Sequence, residues 1–152
     1  MSIEGTTHLL LRRKCGIESC TQTSQLELCS QHLLEKGLLV KESNLFEAGW
    51  GLFTTVDRER GDIIAYFQGP KLQEAYLQGE KHRYAVWAGN GNIIDCSIER
   101  CAAACMNTHS SRKNCSLIVF GNKSYIRTTR KVSTGEELYI PYGQRYRIDC
   151  KI

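Results

Sequence analysis

From Gly135 to Gly143 the chain reads Gly-Glu-Glu-Leu-Tyr-Ile-Pro-Tyr-Gly, a turn-forming glycine and two acids leading into a short apolar strand that ends on a tyrosine. Period two puts Leu138 and Ile140 on one face, turns the alternate residues the other way and carries the Tyr142 hydroxyl to the strand end. Pro141 cannot donate a ladder hydrogen bond, which suits the end of a strand where the chain must turn. On its own the stretch also fits an ordinary edge strand after a turn. Its meaning depends on two other segments.

Short strands and glycine turns recur through the chain. Leu38 to Val40 starts a strand, Asn44 to Thr55 reads as a hairpin with a Gly-rich bend, and Gly61-Asp62-Ile63-Ile64 is a turn followed by a strand. Tyr84 to Trp87 alternates as a strand, Gly89-Asn90-Gly91-Asn92 is a tight hairpin turn, and Ile93 to Asp95 starts the return. Leu117 to Phe120 and Tyr125 to Thr128 form a second hairpin around Gly121-Asn122. Two helical pieces are expected. Leu33 to Lys36 is one turn stopped by Gly37, and Lys71 to Lys81 carries Leu72, Ala75, Tyr76 and Leu77 at helical spacing.

A length of 152 residues fits one domain with a real core and a small appendage. Apolar runs such as Leu9-Leu10-Leu11 and Leu117-Ile118-Val119-Phe120 are far shorter than the roughly 20 residues a membrane helix needs, so no membrane partner is expected. In Met1 to Lys14 the charges follow the leucines instead of preceding them, so the chain is expected to be nuclear or cytoplasmic and not secreted. A net charge of +4, spread along the chain, gives no reason to expect direct nucleic-acid binding.

Eight cysteines without an export signal point to metal ligation or buried thiols before disulfides. Cys15-x4-Cys20-x8-Cys29-x2-His32 offers three thiolates and an imidazole, the complement of a closed tetrahedral structural zinc site. Three sulfurs favour zinc over magnesium or calcium. Residues Thr21 to Leu28 are mostly polar, so folding here would draw on metal binding. The alternative is a cysteine-rich leader without metal. Cys101 and Cys105, four apart, read as paired buried thiols. The chain divides near Gly37 into an N-terminal zinc-knuckle-like segment, 1–37, and a second unit, 38–152.

Two segments give the Gly135 stretch its meaning. The first is Gly49-Trp50-Gly51-Leu52-Phe53 with Gly61-Asp62-Ile63-Ile64 and Phe67-x-Gly69, where glycines flanking Trp50 let backbone approach a ligand closely. The second is Ala102-Ala103-Ala104-Cys105-Met106-Asn107-Thr108-His109, running on to Asn114 and Cys115. In this order and spacing, the three resemble the motifs of SET domains, the protein-lysine methyltransferase family, from about Leu38 to Tyr146. The resemblance implies a mostly β fold of small curved sheets with a pseudoknot, in which the tail threads the segment after Asn107.

The resemblance further implies S-adenosylmethionine as cofactor, held by Gly49, Trp50, Gly51, Leu52, Tyr84, Asn107, Thr108 and His109. Tyr142 would be the catalytic tyrosine, Phe67 and Ile140 would border the lysine channel, and the partner would be a protein presenting a lysine, a histone tail being one candidate. Departures accompany it. Phe67 stands where the family usually has Tyr, Ala104 where it has Arg, and either Thr108 or His109 takes the place of its His. A catalytically inactive SET-derived binding module therefore stays open, as does a zinc-knuckle interaction protein whose second half is scaffold.

Overall fold

The computed structural model describes residues 12–73 and 85–141. Strands β1 (Arg13–Lys14) and β2 (Thr23–Ser24) pair antiparallel, and helix α1 (Ser30–Glu35) follows. Gly37 ends that helix as expected: its φ of 75° is the left-handed conformation that closes a helix, and its N–H reaches the Leu34 carbonyl at 2.9 Å.

Strand β3 (Leu38–Glu42) turns back as β4 (Trp50–Thr54), paired from Leu38 opposite Thr54 to Glu42 opposite Trp50. The other edge of β4 receives the Gly135 stretch. The Gly135 N–H donates to the Thr54 carbonyl, the Thr54 N–H to Glu136 and the Leu138 N–H to Leu52, at 2.8, 3.1 and 2.8 Å.

Beyond Leu138 the chain leaves β4. Strand β12 (Tyr139–Ile140) runs parallel to β9 (Asn107–Thr108), with Tyr139 opposite Asn107 and Ile140 opposite Thr108. One continuous segment thus ties the glycine bend to the second motif. The tail expected to complete a pseudoknot lies outside the described residues.

The remaining strands form two three-stranded sheets. In one, β10 (Cys115–Phe120), β11 (Lys123–Thr128) and β5 (Ile63–Tyr66) lie in that order. In the other, β6 (Lys71–Gln73) and β7 (Ala85–Gly89) flank β8 (Asn92–Asp95). Asn90 and Gly91 join β7 to β8 with φ of 54° and 73°, the two positive values a type I′ hairpin turn requires. Residues 71–73, expected to open a helix, are strand instead. The free edge of β8 offers them ladder hydrogen bonds that override the local spacing, and the rest of that expected helix, like Tyr84, lies outside the described residues.

A main core spans the described residues, with a small second cluster of Ala85 and Ile93 beside it. Leu38, Leu52, Met106, Ile126, Leu138 and Ile140, each at most 1% exposed, share a cluster with Leu26, Leu28 and Leu33 of the N-terminal segment. Burying each such side chain contributes roughly 1.5–3 kcal/mol. The N-terminal segment is therefore packed onto the second unit. No helix among the described residues is long and apolar enough to cross a membrane.

Candidate functional site

Cys15, Cys20, Cys29 and His32 converge, with their ligand atoms all within 4.8 Å of one another. The His32 Nδ1 lies 3.4 Å from the Cys15 Sγ and 3.2 Å from the Cys29 Sγ, and the Cys20 and Cys29 sulfurs are 3.9 Å apart. Local structure explains the convergence. Cys29 sits at the N-cap of α1 and His32 in its first turns, so x2 spacing points both at one place, while β1 and a turn closed by Cys20 N–H to the Ile17 carbonyl bring in the other two.

Burial alone would raise the Cys15 thiol, but hydrogen bonds from the main chain at Cys29 and Ile17 and from the neighbouring thiols bring it down to about 6. A cysteine that ionises this readily is suited to metal ligation, because the thiolate is the ligand. The donor set fits a single zinc ion with all positions filled by protein.

The second site begins at the bend between β3 and β4. Ser43 N–H donates to the Gly49 carbonyl at 2.8 Å, and Gly49 takes a φ of 78°. From the facing segment the Asn107 side-chain amide donates to the Trp50 carbonyl at 2.8 Å. Trp50, Asn107, Thr108 and His109 are half-buried, whereas Gly51 and Leu52 are buried. The structure thus brings the bend at Gly49, Trp50, Gly51 and Leu52 against Asn107, with Thr108 and His109 following Asn107 along the strand that pairs with Tyr139 and Ile140.

His109 lies at the edge of this group. Its N–H donates to the Ile140 carbonyl at 3.0 Å, and its Nδ1 accepts the Arg112 N–H at 3.0 Å and the Ser111 N–H at 3.3 Å. With Nδ1 an acceptor, the ring proton sits on Nε2. The ring lies 5.7 Å from that of Tyr139.

At the centre is a residue the sequence reading did not single out. The Glu137 carboxylate, 4% exposed, accepts the Ser43 hydroxyl at 2.6 Å, the Asn44 N–H at 2.8 Å, the Tyr139 hydroxyl at 2.6 Å and the Asn107 amide at 3.4 Å. These donors come from the turn just before the glycine bend, from the second motif and from the Gly135 stretch itself. Burial, with the adjacent Glu137 carboxylate reinforcing it, pushes the Tyr139 phenol up to about 12.

Asn114 was likewise noted only as part of a pattern. It is 1% exposed, its side chain donates to the Glu137 carbonyl and accepts the Tyr139 N–H, both at 2.9 Å, and its own N–H donates to the Tyr139 carbonyl. It holds the strand at the point where it leaves β4 for β9. The visible signal for Glu137 was its place in Gly-Glu-Glu-Leu, but nothing local distinguishes a buried acid from an exposed one.

Phe67 and Ile140 are both buried, and Phe67 N–H donates to the Ser124 carbonyl at 2.9 Å. Tyr84 and Tyr142 lie outside the described residues. Cys101 and Cys105 are both buried, the Cys105 thiol reaching the Cys101 carbonyl at 3.6 Å, and the Cys101 sulfur also lies 3.8 Å from that of Cys96.

A small-sheet β fold in which a glycine bend, a short parallel pair and a buried acid meet defines a class of protein. The SET domain family model matches residues 49–143, well over half of the chain, and the chain belongs to the SET domain family. Among curated proteins none matches the chain.

Solved structures of similar fold include Chaetomium thermophilum polycomb repressive complex 2 in an autoinhibited conformation bound to S-adenosylmethionine, with a TM-score of 0.65 at 19% identity. The match covers 76% of this chain and 16% of that one. A second is the methyltransferase domain of human PR domain-containing protein 2, with a TM-score of 0.58 at 18% identity over 72% of this chain and 81% of that one. The present chain thus spans about a sixth of the first relative's length, and at these identities the likeness is one of fold.

Proposed function

We propose that the chain transfers a methyl group from S-adenosylmethionine to a lysine side chain of a protein, with a histone tail the first substrate to try. The observation that carries this reading is the Asn107–Trp50 contact, which closes the glycine bend against the second motif beside the strand leading to Tyr142. A SET neighbour bound to S-adenosylmethionine supports the cofactor, and its membership of a polycomb complex supports a nuclear setting and a protein substrate.

The residues fit such a cofactor. Half-buried Trp50 and His109 offer ring surface for an adenine, and the buried Glu137 carboxylate supplies negative potential that favours a cation nearby. When bound, S-adenosylmethionine supplies a methyl group on a positively charged sulfur. Gly49, Trp50, Gly51 and Leu52 would hold it on one side, and Asn107, Thr108, His109 and Tyr84 on the other.

The chain's own task is to present a neutral, aligned amine. Free lysine has a pKa of about 10.4, and apolar walls at Phe67 and Ile140 disfavour the ammonium form by desolvation. Tyr142 would orient the nitrogen lone pair, and alignment supplies most of the rate. Zinc held by Cys15, Cys20, Cys29 and His32 would be structural, in a knuckle of residues 1–37 carried on a SET domain of residues 38–152.

A second reading, a SET-derived module that binds but does not transfer, is favoured by Ala104 and Phe67 at positions where the family has Arg and Tyr. Titration calorimetry with S-adenosylmethionine tests the cofactor, and radiolabelled methyl transfer to a histone mixture tests the chemistry. Binding with transfer supports the enzyme. Binding without transfer on any lysine substrate supports the module, and no binding removes both.

A further inference from the structure

Besides the apolar packing of its leucines, the N-terminal segment reaches the start of the second motif through the Glu27 carboxylate. Glu27 lies two residues before Cys29, and both of its oxygens accept the Ala102 N–H, at 2.9 and 3.1 Å. Its own carbonyl accepts the N–H of Gly16, the residue after Cys15, at 2.9 Å. Two of the four metal-ligand candidates therefore flank the main-chain positions that aim this carboxylate. Alongside, the Arg13 guanidinium donates to the Arg100 carbonyl and to the Gln25 carbonyl, the latter at 3.3 Å.

Ala102 opens a 3-10 turn, Ala102–Cys105, whose four residues are all buried. The turn is closed by the Ala104 N–H on the Cys101 carbonyl and the Met106 N–H on the Ala103 carbonyl, and it runs without a break into Asn107. Asn107 in turn holds the Trp50 carbonyl. A buried N–H at the start of a turn needs an acceptor, and here the acceptor comes from the knuckle.

We infer that Glu27 is a positioning residue for the cofactor site, and that metal bound by Cys15, Cys20, Cys29 and His32 is coupled through it to cofactor affinity. This rests on the reading of Asn107 to His109 as a cofactor segment. Metal fixes Cys15 and Cys29, these fix the Gly16–Glu27 contact, and the carboxylate then anchors Ala102 and the segment behind it. Binding energies are linked in both directions, so cofactor also tightens the knuckle's hold on metal.

The test measures zinc content, S-adenosylmethionine affinity by calorimetry and backbone amide exchange at residues 102–109, in the full chain and in Glu27→Ala and Glu27→Gln. Glu27→Ala should keep its zinc, exchange faster at 102–109 with the hairpin tip at 119–123 unchanged, and bind the cofactor about tenfold more weakly, the factor expected for losing one hydrogen bond to a charged group. Glu27→Gln keeps one acceptor and should fall between Ala and the parent. Chelating the metal from the parent should reproduce the Ala pattern, and chelation in Glu27→Ala should add little, as for two steps on one path.

Unchanged exchange at 102–109 in both Glu27→Ala and the metal-free parent overturns the inference, as does faster exchange spread evenly over the chain. A parent that binds no S-adenosylmethionine removes the cofactor reading alone. The exchange measurement then still decides whether metal and Glu27 together order residues 102–109.

Discussion

The Glu137 carboxylate fills the space beside the α-carbon of Gly51: a Cβ there would overlap Oε1 and come within 2.9 Å of Cδ and 3.2 Å of the Ser43 Cα. Gly51→Ala must therefore push the carboxylate off Ser43, Asn44 and Tyr139. Overpacking of this kind costs about 1–3 kcal/mol, which denaturant unfolding would read. S-adenosylmethionine affinity should fall as well, since the displaced acid organises the bend. A variant with parental stability and affinity would show that the bend adapts without Glu137.

Asn114 satisfies two buried main-chain groups, the Glu137 carbonyl and the Tyr139 N–H. Asn114→Ala leaves both without partners, at about 1–3 kcal/mol for each. Asn114→Asp should also be destabilising, because a carboxylate accepts the Tyr139 N–H but has no donor for the Glu137 carbonyl. Unfolding midpoints of the two variants check this. A loss below about 0.5 kcal/mol in Asn114→Ala would show that water or a shift of the strand replaces the amide.

The Tyr139 phenol is held protonated up to about 12 against an ordinary 10, first by burial and then by Glu137. A folded-state pKa raised in this way stabilises the fold fully below about 10, and the contribution disappears as pH climbs toward 12. Tyr139→Phe should be less stable than the parent by about 1.5–3 kcal/mol at pH 8, the size of one hydrogen bond to a charged acceptor. That gap should narrow above pH 10. A gap constant to pH 11.5 in paired unfolding curves would contradict the assignment.

Cys20→Ser removes one of four ligands whose atoms lie within 4.8 Å of each other. Elemental analysis of the purified parent should give one zinc per chain, and the variant should give substantially less. Metal-free parent, or equal zinc in both proteins, would show that these three thiols and the imidazole do not form the zinc site.

Much of this architecture was legible because its signals are local. Gly37 stops α1, Asn90-Gly91 and Gly121-Asn122 turn their hairpins, and x2 spacing at the start of a helix brings Cys29 and His32 together. What was not legible depends on partners distant in sequence. Residues 71–73 become strand because β8 has a free edge, and Glu137 is buried through donors as far as 94 residues away. The same holds for Gly51, where the sequence suggested room for a ligand and the adjacent space holds the Glu137 carboxylate.

In the proposed function, methyl transfer is organised around the strand that leads to Tyr142. Tyr142→Phe removes one oxygen, and an orienting contact made chiefly in the transition state should lower turnover far more than it weakens binding. The deciding measurement is radiolabelled methyl transfer to a histone mixture by parent and variant, with S-adenosylmethionine affinity measured on both. Transfer by the parent is expected, with a loss of about a hundredfold or more in the variant and cofactor affinity within about twofold. Equal transfer rates in the two proteins would contradict it.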